Sequence, residues 1–419
     1  MKNQIVILKN QLEKHKVLIE NFSYLSVLQL FTMLIPLITY PYLIRVLGKE
    51  FYGLVIFAQA IVGYLSILVS LGFNVSASKK VSIYRNDKEK LNEIFSSVLI
   101  LKIFLFLLSL VILAIILLYT RGAHGYESLF LFSMTVCIND ILYPSWYFQG
   151  IEKMKYITYL TLVSRLTFMV LIFFLIKIPS DYIWVPVIYG IGYILSGIIS
   201  FYIIFVKHKI KLGFQKFRTL KIYLFDSFPI FVSNISVLLY VSTNKVLTGA
   251  LLGMEQVAYY DLAEKIISVL KTPTNILGAT LFPKFNHDKN IRFAKKILKL
   301  SVIGNLILFI LTLIFSKHIV LLLGGKSMEN AYIIVDILAL TIPIIATGSI
   351  LVLSMLLPFN KEKSFLLIVV SSAILYFIAI LMLISLNNFT LINISILIVI
   401  IELYVTIVSY VICKKHQII

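Results

Sequence analysis

The sequence predicts an all-α integral membrane protein, with about twelve transmembrane helices in two six-helix lobes around a central cavity. Three observations lead there. Of 419 residues, 60% are hydrophobic and only 14% charged, with a mean hydropathy of +0.98. Apolar windows recur along the whole chain, and the basic residues gather in alternate connections. A soluble domain of this length has no such balance.

The windows fall at roughly 22–47, 52–73, 94–119, 128–149, 156–176, 183–206, 222–249, 257–282, 299–323, 331–357, 364–386 and 390–412. Each holds about 20 or more residues, enough to cross the hydrocarbon core at 1.5 Å per residue. Aromatics such as Tyr40, Tyr42, Tyr119, Trp184 and Tyr404 stand near their ends, where interfacial belts form. The first window is too long for a signal-peptide core and has no small-residue cleavage site, so it reads as a retained helix. Before it, Lys2, Lys9, Lys14 and Lys16 alternate with Ile, Val and Leu. Residues 1–20 therefore read as an amphipathic cytoplasmic helix or as a basic tail. Residues 21–206 form the expected first lobe, 207–221 a cytoplasmic linker, 222–412 the second lobe and 413–419 a cytoplasmic tail.

The charge sets the orientation. Of 38 Lys and Arg residues, 27 lie in one set of connections and only Lys49, Arg121, Lys177, Lys317 and Lys326 in the other. That asymmetry places both termini in the cytoplasm and accounts for the formal charge of +19 without a nucleic-acid partner. Two cysteines, Cys137 and Cys413, carry no disulfide or metal signal, and no cofactor is expected. Gly324-Gly325-Lys326-Ser327 resembles the end of a phosphate-binding loop, but Val320 occupies the leading glycine's place in an external connection. No zinc-protease motif, Cys-x-x-Cys pair or Ser-His-Asp spacing appears, so the chain does not read as an enzyme.

The halves look related. Leu47-Gly48 is followed, ten residues after the glycine, by Ala58-Gln59-Ala60-Ile61, and Leu252-Gly253 at the same spacing by Ala263-Glu264-Lys265-Ile266. Six windows per half is an even number, so the repeats would be parallel, about an axis along the membrane normal.

Three stretches resemble a known family. They are Pro36-Leu-Ile-Thr-Tyr-Pro41-Tyr-Leu-Ile-Arg45-Val-Leu-Gly48 with Tyr52-Gly53, Trp146-Tyr-Phe-Gln149-Gly150-Ile-Glu152-Lys153-Met-Lys155-Tyr156, and Tyr259-Tyr260-Asp261-Leu-Ala263-Glu264-Lys265-Ile266 closed by Leu281-Phe-Pro283. Together they resemble the bacterial polysaccharide (O-antigen and capsule) flippases of the multidrug/oligosaccharidyl-lipid/polysaccharide superfamily. The resemblance implies a bacterial inner-membrane location and an undecaprenyl-pyrophosphate-linked oligosaccharide as cargo. Membrane lipids would be partners, and it leaves room for other polysaccharide assembly proteins. One departure stands out: Asn244 occupies a position, just before Lys245, where the family pattern often has an acidic residue.

Six cations lie inside the windows: Arg45, Lys102, Arg165, Lys245, Lys265 and Lys271. A charge at membrane depth costs about 2.5–3.5 kcal/mol on insertion scales and usually faces a partner or a hydrated cavity. Asp140 and Arg165 are equidistant from the 150–155 turn, hence of similar depth, and read as an ion-paired strut or as a substrate contact. Lys245 and Asp261 are likewise equidistant from residue 253, with Lys265 one turn from Asp261 as a competitor. Lys102 has a stem long enough to carry its ammonium toward the cytoplasmic interface.

Arg45 follows Pro36 and Pro41, which should bend the first helix, and its planar fork suits phosphate oxygens. Asp261, Glu264, Lys265 and Lys271 share one broad face of the eighth helix, which predicts a cavity of mixed charge. Glu402, mid-window opposite an apolar neighbourhood, reads as a neutral hydrogen-bonded carboxyl or as a coupling site. In the mechanism that the resemblance implies, Arg45, Lys265 and Lys271 compensate phosphate charge while the lobes rock. Two rivals remain open: a cation-coupled drug exporter of the same superfamily, which calls for unpaired acidic residues in the first lobe, and a membrane polysaccharide polymerase, which calls for a long external catalytic loop.

Overall fold

A computed structural model describes residues 2–119, 125–288, 290–359 and 361–416. The side chains of 1–19 lie outside the described set, and with them the amphipathic pattern expected of the N-terminus; so do Arg121 and Pro283. Every described element is helical.

Helical segments cover each expected apolar window. α1 (Lys2–Ser70) carries the first two and α2 (Phe73–Ile83) extends the second. α3 (Lys88–Tyr119) follows, then α4 (Glu127–Ser133), α5 (Thr135–Leu142) and α6 (Ser145–Gly150), which divide the fourth window. α7 (Met154–Leu175), α8 (Trp184–Tyr202), α9 (Phe217–Leu252), α10 (Met254–Asp288) and α11 (Ile291–Gly324) are continuous. α12 (Ala331–Ala339) and α13 (Thr341–Leu351) share the tenth window, before α14 (Glu362–Ser385) and α15 (Leu391–Lys415). Among the described residues nine helical stretches are long and apolar enough to cross a membrane, one of them spanning the first two windows. The protein is an all-α, multi-pass membrane protein.

α3 shows why. Phe104, Leu107, Val111 and Ile115 form one outward stripe, each 50% exposed or more. Its buried side instead holds Ser96, Ser97, Lys102 and Ser109 among leucines. Apolar residues face outward while small and polar residues face the neighbouring helices, the arrangement lipid favours.

The chain forms two compact units. Unit 1 comprises 1–47 and 57–239; unit 2 comprises 48–56 and 240–419. This division differs from the expected one at 207–221 in two places, and contacts explain both. The first part of α9 belongs to unit 1, where Ser227 and Ser76 share a hydrogen bond of 2.6 Å and Asp226 pairs with Lys80 at 2.6 Å. The segment 48–56 belongs to unit 2. A Cβ on Gly53 would stand 1.8 Å from the Met254 carbonyl oxygen, so only glycine permits this approach.

Gly48 (φ 72°, ψ 168°) and Gly253 (φ 96°) both have a positive φ, which favours glycine at each Leu-Gly step. α1 keeps helical dihedrals through Pro36 and Pro41 and departs from them at Gly48. In unit 1 the second resembling stretch is packing: Trp146, Tyr147 and Phe148 are fully buried in a cluster with Phe95 and Ile204. In unit 2, α11, α13, α14 and α15 supply Ala294, Leu351, Ile368 and Cys413 to one core cluster.

Candidate functional site

Unit 2 concentrates charge around one carboxylate. Asp261 on α10 is 1% exposed. Lys245 on α9 lies 2.9 Å from its Oδ1 and 2.6 Å from Glu264 Oε2, while Lys265 lies 2.6 Å from Asp261 Oδ2. The Tyr52 hydroxyl donates to the same Oδ2 at 2.6 Å and accepts from Lys265 Nζ at 2.9 Å. A buried carboxylate at this depth is tolerable because two ammoniums and a hydroxyl satisfy it together. The structure thus brings Lys245, Asp261, Glu264 and Lys265 together, and adds Tyr52, which sequence reasoning missed. Its only signal was that Tyr52 follows the first Leu-Gly step as Tyr259 and Tyr260 follow the second.

Beside this network is a cavity of about 370 Å³, lined among others by Asn244, Tyr260, Glu264, Lys265, Lys271 and Glu402. Glu402 therefore faces charged groups of α10; the apolar surroundings expected from its hairpin on α14 are corrected by helix packing across hairpins. Lys271 makes no ion pair among the described residues. Asn244 donates to the Tyr260 hydroxyl at 3.2 Å and accepts from the Tyr376 hydroxyl at 2.5 Å, which fixes the departure from the family pattern in a neutral network. In the turn before the α10 window, Lys49 lies 2.6 Å from Glu255 and holds that carboxyl below its usual range.

Unit 1 holds a cavity of about 470 Å³ with different chemistry. Proline at position 36 has no N–H for the Thr32 carbonyl one turn earlier. Arg165 on α7 meets that acceptor: its Nη1 donates to the Thr32 oxygen at 3.4 Å. Among the described residues Arg165 is the one charged group in the cavity lining, which also includes Gln59, Asn139, Tyr189 and Tyr193. The Tyr189 ring stacks on Phe168 with centroids 3.6 Å apart and planes at 15°. No acidic side chain among the described residues lines this cavity.

Two expectations fail here. Asp140 and Arg165 form no ion pair among the described residues. Asp140 Oδ2 accepts from Ser66 at 2.5 Å, and Lys102 Nζ donates to the Asp140 carbonyl at 2.6 Å. Equal residue count fails as a measure of depth because the fourth window is interrupted at Tyr143–Pro144, between Asp140 and the turn. Lys102, expected at the interface, is 2% exposed and points inward, where the Asp140 carbonyl accepts from its ammonium within the unit. Arg45 is exposed and lines neither cavity. Asp336, mid-helix in α12, has a buried Oδ1 without a hydrogen-bond partner among the described residues and was also missed.

The fold is shared with solved transporters. A structure of the lipid II flippase MurJ in an inward closed conformation superposes with a TM-score of 0.76 at 16% identity, covering 93% of this chain and 87% of that one. An inward-facing multidrug resistance MATE transporter of the MOP superfamily gives 0.67 at 14% identity, covering 94% and 98%. In sequence, a protein of Escherichia coli (strain K12) named "Putative O-antigen transporter" is 28% identical over 362 residues, 85% of this chain and 87% of its own. Residues 18–289 match the family described as polysaccharide biosynthesis protein, well over half of the chain, and the chain belongs to that family.

Proposed function

We propose that the protein is a flippase that moves an undecaprenyl-pyrophosphate-linked oligosaccharide repeat unit, of O-antigen or capsule, from the cytoplasmic to the outer leaflet of the bacterial inner membrane by alternating access. Both termini are cytoplasmic in this reading, following the basic connections. The observation that carries it is the 28% identity, over 85% of the chain, with the protein of E. coli named for O-antigen transport. The site chemistry supports it. Lys271 lines the unit 2 cavity without an ion pair among the described residues, so it is the cation most available to phosphate oxygens. Lys265 shares that cavity but also holds Asp261, and Lys245 joins α9 to α10. Arg45, exposed near the end of the first window, is a further phosphate contact.

The drug-exporter rival fits less well, because a cationic cargo would meet Arg165 and no described carboxylate in the unit 1 cavity. An inward-negative potential also favours outward movement of an anion, by about 2.3 kcal/mol per charge per 100 mV.

The test is transport in proteoliposomes holding a fluorescent undecaprenyl-pyrophosphate-linked oligosaccharide, read by loss of outer-leaflet signal to a membrane-impermeant quencher. The wild type should equilibrate the label between leaflets, and Lys271→Gln should slow it. Proteoliposomes that move a cationic dye but leave the labelled lipid in place would replace the flippase with the exporter.

A further inference from the structure

The unit 1 cavity carries an inference about what part of the cargo is recognised, and it rests on the flippase reading. At membrane depth an uncompensated polar group is costly, so polar side chains left open there need water or a ligand. Gln59, Asn139 and Tyr193 line this cavity, and their side chains make no hydrogen bond among the described residues. Arg165 spends one donor, at 3.4 Å, on the Thr32 carbonyl, and the rest of its five-donor fork has no acceptor among the described residues. Asp140 does not compete for it, since Ser66 and Lys102 already attend that residue.

Two further features narrow the ligand. The Phe168–Tyr189 stack, with Tyr193 at 6.1 Å from Tyr189, sets flat aromatic surface beside amides and hydroxyls. Such a surface suits the C–H face of a pyranose ring, while its neighbours suit ring hydroxyls. The charge count is the second feature. One guanidinium, with no carboxylate beside it in the described lining, matches one carboxylate. At about 470 Å³ the cavity is of ordinary ligand-site size.

We propose that the unit 1 cavity is a subsite for one acidic sugar residue of the cargo, its carboxylate held by Arg165 and its ring laid against the tyrosines. Recognition of the sugar is then separate from the phosphate contacts proposed for Arg45 and Lys271, neither of which lines this cavity.

The experiment is thermal unfolding of the full-length purified protein titrated with glucuronic acid, glucose or inorganic pyrophosphate. Glucuronic acid should raise the melting temperature saturably, and glucose should do so only at higher concentration. Arg165→Gln should weaken glucuronic acid on the order of tenfold, the loss of a charge-assisted bond, with the glucose effect kept. Tyr193→Phe, which removes one hydroxyl and no charge, should weaken both sugars and keeps the test available if Arg165→Gln does not fold. If neither sugar stabilises the wild type, or if Arg165→Gln abolishes the pyrophosphate effect and leaves that of glucuronic acid, the sugar subsite is refuted. A wild type that translocates the labelled lipid without any sugar effect refutes the subsite alone. One that binds glucuronic acid but does not translocate refutes the flippase reading alone.

Discussion

The two halves of the sequence place a cavity at corresponding points of corresponding helices and line it with different chemistry. Thr39 and Gln59 line the unit 1 cavity, and 205 residues further on Asn244 and Glu264 line that of unit 2. In unit 1 the described lining is neutral apart from Arg165. Around the other, Lys245, Lys265 and Lys271 stand against Asp261, Glu264 and Glu402. A charge at membrane depth can thus be retained in two ways: compensated by the protein, where it becomes structural, or left to a hydrated cavity, where it remains available to a ligand. The difference teaches that a count of buried charges does not locate the cargo; a count of uncompensated ones comes nearer.

The largest effect should come from the compensated side. Asp261→Asn removes the shared partner of Lys245 and Lys265 in a site that is 1% exposed. Breaking a buried ion pair on one side costs about 3–5 kcal/mol, so a sharply lower yield and melting temperature are expected. An unchanged melting temperature would show that the network is not structural.

The Leu-Gly steps test whether the halves are equivalent where their chemistry is the same. Among the described residues no non-local atom lies within 4 Å of the point where a Cβ on Gly48 or Gly253 would stand, so alanine there meets only the strain of a positive φ. A side chain held at such a backbone position costs about 1–3 kcal/mol, and if the halves are equivalent the two substitutions should lower the melting temperature alike. A difference of several-fold between them would break the symmetry.

Arg165→Gln is the counterpart of Asp261→Asn on the open side. It loses one long bond, to the Thr32 carbonyl. The stability change should therefore stay below about 1 kcal/mol while transport falls, since a net hydrogen bond contributes about that much. A collapse like that of Asp261→Asn would make Arg165 a structural strut after all.

The sequence made the helices legible, because windows of apolar residues and the basic asymmetry are long-range statistics that local detail does not disturb. It also brought Asp261, Glu264 and Lys265 to one place, since helical periodicity alone sets their spacing. Lys102 and Arg165 were misjudged because the break at Tyr143–Pro144 spoils residue count as a measure of depth without changing the apolar pattern, and because the partners they do take, the Asp140 and Thr32 carbonyls, are backbone groups of other helices. Gln59, Asn139 and Tyr193 escaped notice because uncharged polar residues inside apolar windows are common and cheap. The one available signal was Pro36, which frees the Thr32 carbonyl and so calls for a donor nearby. Tyr52 lies 209 residues from Asp261, and no periodicity connects them.

The smallest effect should be confined to unit 1, beyond the window that ends near residue 206. His208 Nδ1 lies 3.2 Å from the Tyr147 hydroxyl, and the imidazole sits beside the rings of Tyr147 and Tyr156. Burial pushes it down from 6.5 to about 4, and the charges of Lys153 and Lys207 act in the same direction. The unfolded chain therefore binds the proton first as the solution is acidified. The contribution of neutral His208 is fully present above about pH 6.5 and is lost progressively as pH falls toward 4. His208→Asn, which does not titrate, should be less stable at about pH 7.5 yet lose less melting temperature on going to about pH 5 than the wild type does. Parallel pH profiles for the two proteins would mean that this ring carries no linked proton, and that the aromatic cluster around Tyr147 holds without it.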